Sequence, residues 1–438
     1  MMDQTLVENN SHQVISQTLA ARDQAVIWHP YTTQVQTPSP PIPIIRGEGV
    51  YLIDEQGNHY LDAISSWWVN IHGHAHPHIA EKVSEQLKTL EHCIFAGFTH
   101  PPAIELAERL LKIIPSNQQK IFYSDNGATA VEIALKMCIQ YWSNQGIPRT
   151  KVLAFHNSYH GDTFGAMAVS ARSAFTTHFE KFLFEVTYID LPNQHNIEIL
   201  KSQISDLKSE VAAFIFEPLV QGAGGMLMYE AAYLDALLLH CQQEHVLTIA
   251  DEIMTGFGRT GKLFASDYLQ QQPDLMCFSK GLTGGTMALG VTSCTEKIHE
   301  AFLSEDKLKT LFHGHSFTAN PIACSAALAS MDLTEKPETL QHIRRITEQH
   351  SEFLNTIKGH PKLKDVRQTG TILALEWQTN EETSYFNQLR DNLYNYFIQH
   401  KIILRPLGNI IYILPPYCIN DEQLAYIYSK IKKALEIF

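Results

Sequence analysis

The sequence predicts an α/β protein with a large, mostly parallel sheet domain and a smaller α/β domain at the C-terminal end. Three observations carry this expectation. Short apolar runs end abruptly in polar residues: Val-Leu-Thr-Ile-Ala over 246–250 leads into Asp251-Glu252, and Leu-Met-Cys-Phe over 275–278 leads into Ser279-Lys280-Gly281. Runs without polar alternation read as strands covered on both faces, the habit of a parallel sheet. Helical patterns alternate with these runs, and 438 residues exceed what one core ordinarily organises. We expect an N-terminal arm and hairpin over 1–62 that contributes to the small domain, a large ligand-binding domain over 63–331, and the small domain over 332–438.

In chain order, residues 1–22 are polar and read as a loosely held helical arm, followed by the aromatic cluster Trp28-His-Pro-Tyr31. Pro38, Pro40, Pro41 and Pro43 make a connector that cannot be an interior strand. Residues 49–62 alternate on both sides of a Gln-Gly-Asn turn, which is a hairpin pattern. Four histidines then stand at alternate positions, His72, His74, His76 and His78. A metal loop recruits Cys, Asp or Glu partners at set spacing, and none is evident, so the expectation is no metal and a loop whose imidazoles serve as hydrogen-bonding groups.

Residues 103–114 have an amphipathic helical pattern stopped by Pro115. Ile121-Phe-Tyr reads as a strand, and Ser124-Asp-Asn-Gly127-Ala128-Thr129 turns into a helix whose apolar positions Val131, Ala134, Leu135, Cys138 and Tyr141 share one face. A strand, a glycine turn and a helix start form an anion site, because free amides and the helix dipole point at whatever sits there; a plain helix cap has the same wording. Lys-Val-Leu-Ala-Phe over 151–155 is the next strand and leads to Tyr159-His-Gly-Asp162. Residues 212–216 form another, ending at Glu217 before a glycine-rich loop over 220–225 that lacks the G-x-G-x-x-G spacing of a nucleotide site. After Lys280, the loop over 310–321 opens an alanine-rich helix at 322–331. Beyond 332 we expect two helices and short strands at 370–376, 402–405 and 410–414, the last two facing one another across a Pro-Leu-Gly-Asn turn.

Composition limits the function classes. Hydrophobic residues at 45% and charged residues at 18% describe a soluble globular chain, and a formal charge of -13 argues against a general nucleic-acid binder. Seven scattered cysteines, never in a C-x-x-C pair, suit a reducing compartment. The first ten residues lack the basic start and apolar stretch of a signal peptide, and no apolar run approaches the ~20 residues of a membrane span, so a cytoplasmic protein is expected.

The chemistry centres on two residues. Ligands of open α/β sheets sit outside the carboxyl ends of the strands, where Asp251 and Lys280 would converge on one bound molecule. An amine and a carboxylate there suit pyridoxal phosphate (PLP), the lysine forming a Schiff base and the acid keeping the pyridine nitrogen protonated. Singly, each has an ordinary explanation, a helix cap for Asp251 and a loop lysine for Lys280.

The wording around them, Asp-Glu-Ile-Met-Thr-Gly-Phe-Gly-Arg-Thr-Gly over 251–261 and Phe-Ser-Lys-Gly-Leu-Thr-Gly-Gly over 278–285, closely resembles the cofactor signature of the class III aminotransferases. Within that family it is most similar to the biotin-pathway branch, which aminates 8-amino-7-oxononanoate. The resemblance implies a fold type I PLP-dependent transferase, working as a homodimer. It places Gly127 and Ala128 at the cofactor phosphate, Tyr159 on the cofactor ring, and Asp162 and Glu217 in support. His315 and Ser316 would complete the phosphate site of the other subunit, with Gly314 beside them among the substrate-binding positions. It assigns Tyr31, Trp67 and Tyr159 to the walls of the substrate pocket and Arg405 to the substrate carboxylate, with Tyr412 lining the same region and Arg259 structural or near the donor path. Asn126-Gly-Ala-Thr and His315-Ser316 depart from more usual family forms, though each still offers amides or a hydroxyl. S-adenosylmethionine and lysine both stay open as amino donor. Competing implications are another class III enzyme acting on ornithine, 4-aminobutyrate or a diamine, racemase or decarboxylase chemistry on the same scaffold, and a non-catalytic dimeric scaffold.

Overall fold

The computed structural model describes residues 18–33, 40–381 and 383–438. Most of the arm expected over 1–22, and residues 37–39 of the proline connector, lie outside the described residues. The described part of the arm is the helix Leu19–Val26, whose first turn is capped by the Thr18 hydroxyl.

Three strands follow, β1 (Ile44–Glu48), β2 (Tyr51–Asp54) and β3 (His59–Asp62), paired antiparallel in sequence. The expected hairpin is β2–β3, and Asp54 holds its turn by accepting from the amides of Gln56 and Asn58. The chain then lays down β4 (Gln118–Ser124), β5 (Lys151–Phe155), β6 (Val186–Ile189), β7 (Val211–Phe216), the short ribbon of β8 (Val220–Gln221) and β9 (Leu227–Met228), then β10 (Leu247–Asp251), β11 (Leu275–Phe278) and β12 (Gly290–Thr295).

Seven of these form the central sheet in the order β4-β12-β11-β10-β7-β5-β6. From β11 through β6 all neighbours are parallel, and β12 alone runs against β11 and β4. Successive residues of a strand enter two separate cores: Leu153, Phe155, Phe214, Phe216, Met276 and Phe278 face one, while Val152, Ala154, Ala213, Ile215, Leu275 and Cys277 face the other. Both faces are therefore dry, which is why the strands read as unbroken apolar runs. The helix Gly127–Asn144 covers the second face and buries all five positions expected of its apolar stripe.

The C-terminal region departs from the sequence reading in two ways. Its described residues hold three helices rather than two, Pro337–Ile357, Leu389–Gln399 and Asp421–Ile437. Its strands are β13 (Leu363–Thr369), β14 (Ile372–Trp377), β15 (Ile402–Ile403) and β16 (Ile410–Ile413), and β15 and β16 are not a hairpin. β15 pairs parallel with β3, whereas β16 pairs antiparallel with β14. β15 ends at Ile403, Pro406 has no amide with which to resume a ladder, and the intervening turn carries the chain from one sheet to the other.

Three of the four alternating histidines have different hydrogen-bond partners. His72 bonds the Ser330 hydroxyl, His74 the Asp62 carboxylate and His78 the Asp332 carboxylate. Among the described residues no helix is long and apolar enough to cross a membrane.

Candidate active site

Five strands of the central sheet lead into the residues that line a cavity of about 670 Å³. Asp251 is the last residue of β10, in register with Cys277 of the neighbouring parallel β11, and Lys280 lies just beyond the end of β11. Tyr159 and His160 come from the loop after β5, Glu217 from the end of β7, and Asn126, Gly127 and Ala128 from the turn after β4. The two residues singled out from sequence therefore share one cavity.

Asp251 is almost fully buried, and its carboxylate accepts from His160 Nδ1 at 2.7 Å and from the Ile253 amide at 3.1 Å. A carboxylate can only accept, so Nδ1 of His160 carries the proton. His160 Nε2 is buried without a hydrogen-bond partner among the described residues. Glu217 accepts from the amides of Tyr159 (3.0 Å) and Gly222 (2.9 Å). Burial pushes its carboxyl up to about 7, and the nearby Asp251 charge adds to the rise.

Lys280 lies with Nζ 4.5 Å from the centre of the Trp68 ring. The low-dielectric cleft pulls its ammonium down to about 8, against the opposing attraction of Asp251 and Glu217 and with help from the Arg259 charge. In the turn after β4, the Asn126 side chain caps the helix by accepting from the Thr129 amide at 3.0 Å, and the Thr129 hydroxyl accepts from the Asn126 amide at 3.2 Å. The cap uses neither the Gly127 nor the Ala128 amide. A β-carbon at 127 would stand 3.0 Å from the Ile253 side chain, so the close packing there favours glycine.

A second cavity of about 730 Å³ adjoins the first and shares Trp68, Tyr159, Asp162 and Lys280 with it. Its walls are aromatic. Tyr31 meets Trp67 at 5.6 Å and Phe175 at 5.7 Å between ring centres, and Phe175 meets Tyr385 at 4.8 Å. The Tyr31 hydroxyl donates to Asp162, and burial together with that carboxylate pushes its pKa up to about 12. Arg405 lines this chamber with its guanidinium 4.5 Å from the Trp67 ring centre, and Tyr412 stands edge-on to Trp68.

The tryptophan pair is held in an unusual backbone. Ser65, Ser66, Trp67 and Trp68 all have positive φ, at 52°, 46°, 70° and 75°. The Ser65 hydroxyl donates to the Leu414 carbonyl and the Ser66 hydroxyl to Asp62, each at 2.7 Å. Arg259, fully buried, donates to the carbonyls of Trp68 (3.3 Å) and Pro415 (2.9 Å), which makes it a brace beneath this turn rather than a wall of either cavity.

Sequence reasoning brought together Tyr31, Trp67, Gly127, Ala128, Tyr159, Asp251, Lys280 and Arg405, and all of them line the two cavities. It did not foresee His160 as the partner of Asp251, Trp68 above Lys280, or Phe175, Tyr385 and Phe386 as walls. A histidine directly after a candidate ring-stacking tyrosine was the available signal for the first. Gly314, His315 and Ser316 line neither cavity; Gly314 and Ser316 are exposed, and His315 Nε2 lies 3.9 Å from Asp125.

The sequence model of the aminotransferase class-III family matches residues 32–435. The chain is 44% identical over 420 residues to the adenosylmethionine-8-amino-7-oxononanoate aminotransferase of Synechococcus elongatus, covering 94% of this chain and 98% of that protein. It is 37% identical to the protein of the same name from Geobacter sulfurreducens, with 96% and 98% covered. Among solved structures, the adenosylmethionine-8-amino-7-oxononanoate aminotransferase of Methanocaldococcus jannaschii superposes with a TM-score of 0.92 at 36% identity, over 95% of this chain and 98% of that one. An omega transaminase from Pseudomonas jessenii in complex with PMP superposes with a TM-score of 0.90 at 26% identity, over 96% and 98%.

Proposed function

Because the chain belongs to the class III aminotransferases, we propose that it is the PLP-dependent transaminase of biotin synthesis, converting 8-amino-7-oxononanoate to 7,8-diaminononanoate. Its architecture is the fold type I α/β arrangement of PLP-dependent transferases. The observation that carries the reading is one cleft in which Lys280 and Asp251 share a polar chamber, continuous at Lys280 with an aromatic chamber that holds Arg405.

The residues present fit the cofactor. A flat heterocycle needs an aromatic face, which Tyr159 supplies, an anion for its ring nitrogen, which the Asp251–His160 pair supplies, and helix-start amides for its phosphate, which Gly127 and Ala128 supply. Bound there, PLP supplies an aldehyde that captures amines and a ring that delocalises a carbanion.

The chain's own groups do the rest. Lys280 would be the residue that holds the cofactor's aldehyde and yields it to a donor amine. Its Nζ, whose pKa burial lowers to about 8, would serve as the general base and acid that moves the proton of the substrate carbon. His160 donates to Asp251 and fixes the carboxylate in the position where it would face the cofactor's ring nitrogen. The second half-reaction returns the amino group to the keto acid, which predicts ping-pong kinetics. Tyr31, Trp67 and Tyr159 would enclose the aliphatic chain and exclude water, and Arg405 would pair with the terminal carboxylate.

We read S-adenosylmethionine as the donor, with lysine the alternative, and the cytoplasm as the compartment, which seven unpaired cysteines support. Residues 1–62 are assigned to the small domain with 332–438, a division supported by the pairing of β3 with β15, and 63–331 to the large one. Exposed Phe312 and Phe317, flanking Gly314, His315 and Ser316, support a homodimer in which this loop completes the partner's phosphate and substrate sites.

The test offers the purified PLP form S-adenosylmethionine and lysine separately and follows the cofactor absorbance, then adds 8-amino-7-oxononanoate and identifies the product by mass. Conversion by either donor, followed by 7,8-diaminononanoate, is the expected result. Conversion only by ornithine, 4-aminobutyrate or another ω-amine overturns the biotin reading.

A further inference from the structure

The wall of the aromatic chamber is partly built from two loops far apart in sequence. One is the loop between β8 and β9, where Ala223, Gly224 and Gly225 line the cavity. The other is the segment after β14, where Thr383, Tyr385 and Phe386 line it. The lining residues of both loops lie outside the strands that flank them.

Behind both lies an ion pair that lines neither cavity. Arg367 of β13 and Glu376 of β14 meet at 3.1 Å across the two paired strands, with side-chain exposures of 10% and 7%. Arg367 reaches in one direction, donating from Nε to the Met226 carbonyl at 2.8 Å and from its terminal nitrogen to the Gly225 carbonyl. Glu376 reaches in the other, accepting from the Thr383 hydroxyl at 2.6 Å and from Lys364 at 2.7 Å. Asp365 provides a second anion for Arg367. The planar guanidinium fork suits this duty, since it bonds a carboxylate and two backbone carbonyls at once in a fixed geometry.

We propose that the Arg367–Glu376 pair is a positioning device that sets the spacing of the two loops and so determines which chain length of acceptor the aromatic chamber takes. The inference rests on the proposed function, because it treats the second cavity as the seat of the acceptor chain. Neither residue touches substrate. The pair works through Gly225 and Met226 on one side and Thr383 on the other. Removing either charge releases one loop from the shared anchor, so a chamber matched to one chain length becomes tolerant of others. The cofactor chamber, built on strand ends, keeps its shape.

The experiment compares kcat/KM for 8-amino-7-oxononanoate and for an analogue two methylenes shorter, in the wild type, Glu376→Gln, Arg367→Met and the double variant, with cofactor absorbance as the check that each holds PLP. The wild type is expected to favour the full-length acceptor by about tenfold or more, as methylene discrimination in a packed pocket allows. Each single variant should shrink that ratio about fivefold or more. The double variant should shrink it no further, because the two residues act as one unit. Arg367→Lys, which keeps the charge but not the fork, should fall between wild type and Arg367→Met. An unchanged ratio, with any loss common to both acceptors, overturns the proposal, as does a double variant whose losses multiply, or variants that no longer bind PLP. A wild type that aminates neither acceptor overturns the functional reading itself, which is a different result.

Discussion

The two adjoining chambers are built by opposite means. The polar one is assembled from the carboxyl ends of β10 and β11 and from the turns after β4, β5 and β7, all rooted in one sheet with a dry core on each face. The aromatic one draws on the N-terminal Tyr31, the turn around Trp67, the loop near Phe175 and the C-terminal Tyr385 and Arg405, and no single sheet connects them. Groups that must meet a reacting atom within fractions of an ångström sit on the rigid framework, while groups that select a substrate sit on exchangeable loops. Disturbances in the first chamber should therefore appear in kcat and those in the second in KM.

Four measurements test that division. Lys280→Ala should lower kcat by at least about ten-thousandfold and abolish the visible absorbance of bound cofactor, since it removes both the anchor and the proton carrier; appreciable residual turnover would break the assignment at its centre. Asp251→Asn should lower kcat by about a hundredfold or more while the acceptor KM moves little, because the amide keeps the shape and loses the charge paired with His160. Arg405→Met should do the reverse, raising the acceptor KM by up to about a hundredfold, the worth of a lost charge-assisted contact of ~2.7 kcal/mol, with kcat nearly intact. Equal falls in kcat for Arg405→Met and Asp251→Asn would erase the contrast. The smallest effect is a titration. Desolvation lowers the folded-state pKa of Lys280 to about 8, so the reactive neutral amine grows in as pH rises through that value. Acylation of the cofactor-free protein at Lys280 should therefore show a midpoint near pH 8, and a midpoint near that of an ordinary lysine, about 10.4, would contradict the dry chamber.

The same contrast decided what could be read from the chain. Asp251 and Lys280 were legible because a strand covered on both faces writes itself as an apolar run, and the first polar residue after it marks the site. Gly127 and Ala128 were legible because strand, glycine and helix start follow one another locally. The aromatic walls were less so: Phe175 and Tyr385 have nothing in their neighbourhoods to tell them from ordinary core or surface rings, since what makes them walls is their meeting across 210 residues, at 4.8 Å between ring centres. His160 was missed for a related reason, because its partner lies 91 residues away. The hairpin expected over 402–414 failed because the alternation that marks a strand does not say which sheet it joins. Here Pro406 stands between β15 and β16, which pair with β3 and β14.

The turn at Ser65, Ser66, Trp67 and Trp68 has a further consequence. Its coil is the mirror hand of an ordinary helix, which costs roughly 1–2 kcal/mol for each L-residue, so it does not persist unaided. Its clips come from Asp62 beside it, Arg259 in mid-chain and Leu414 near the end. Both indoles thus take their places only after the first, middle and last portions of the polypeptide have docked together. A truncated or half-assembled chain has no way to display a finished reaction chamber, and catalytic competence becomes a built-in certificate that synthesis and folding ran to completion.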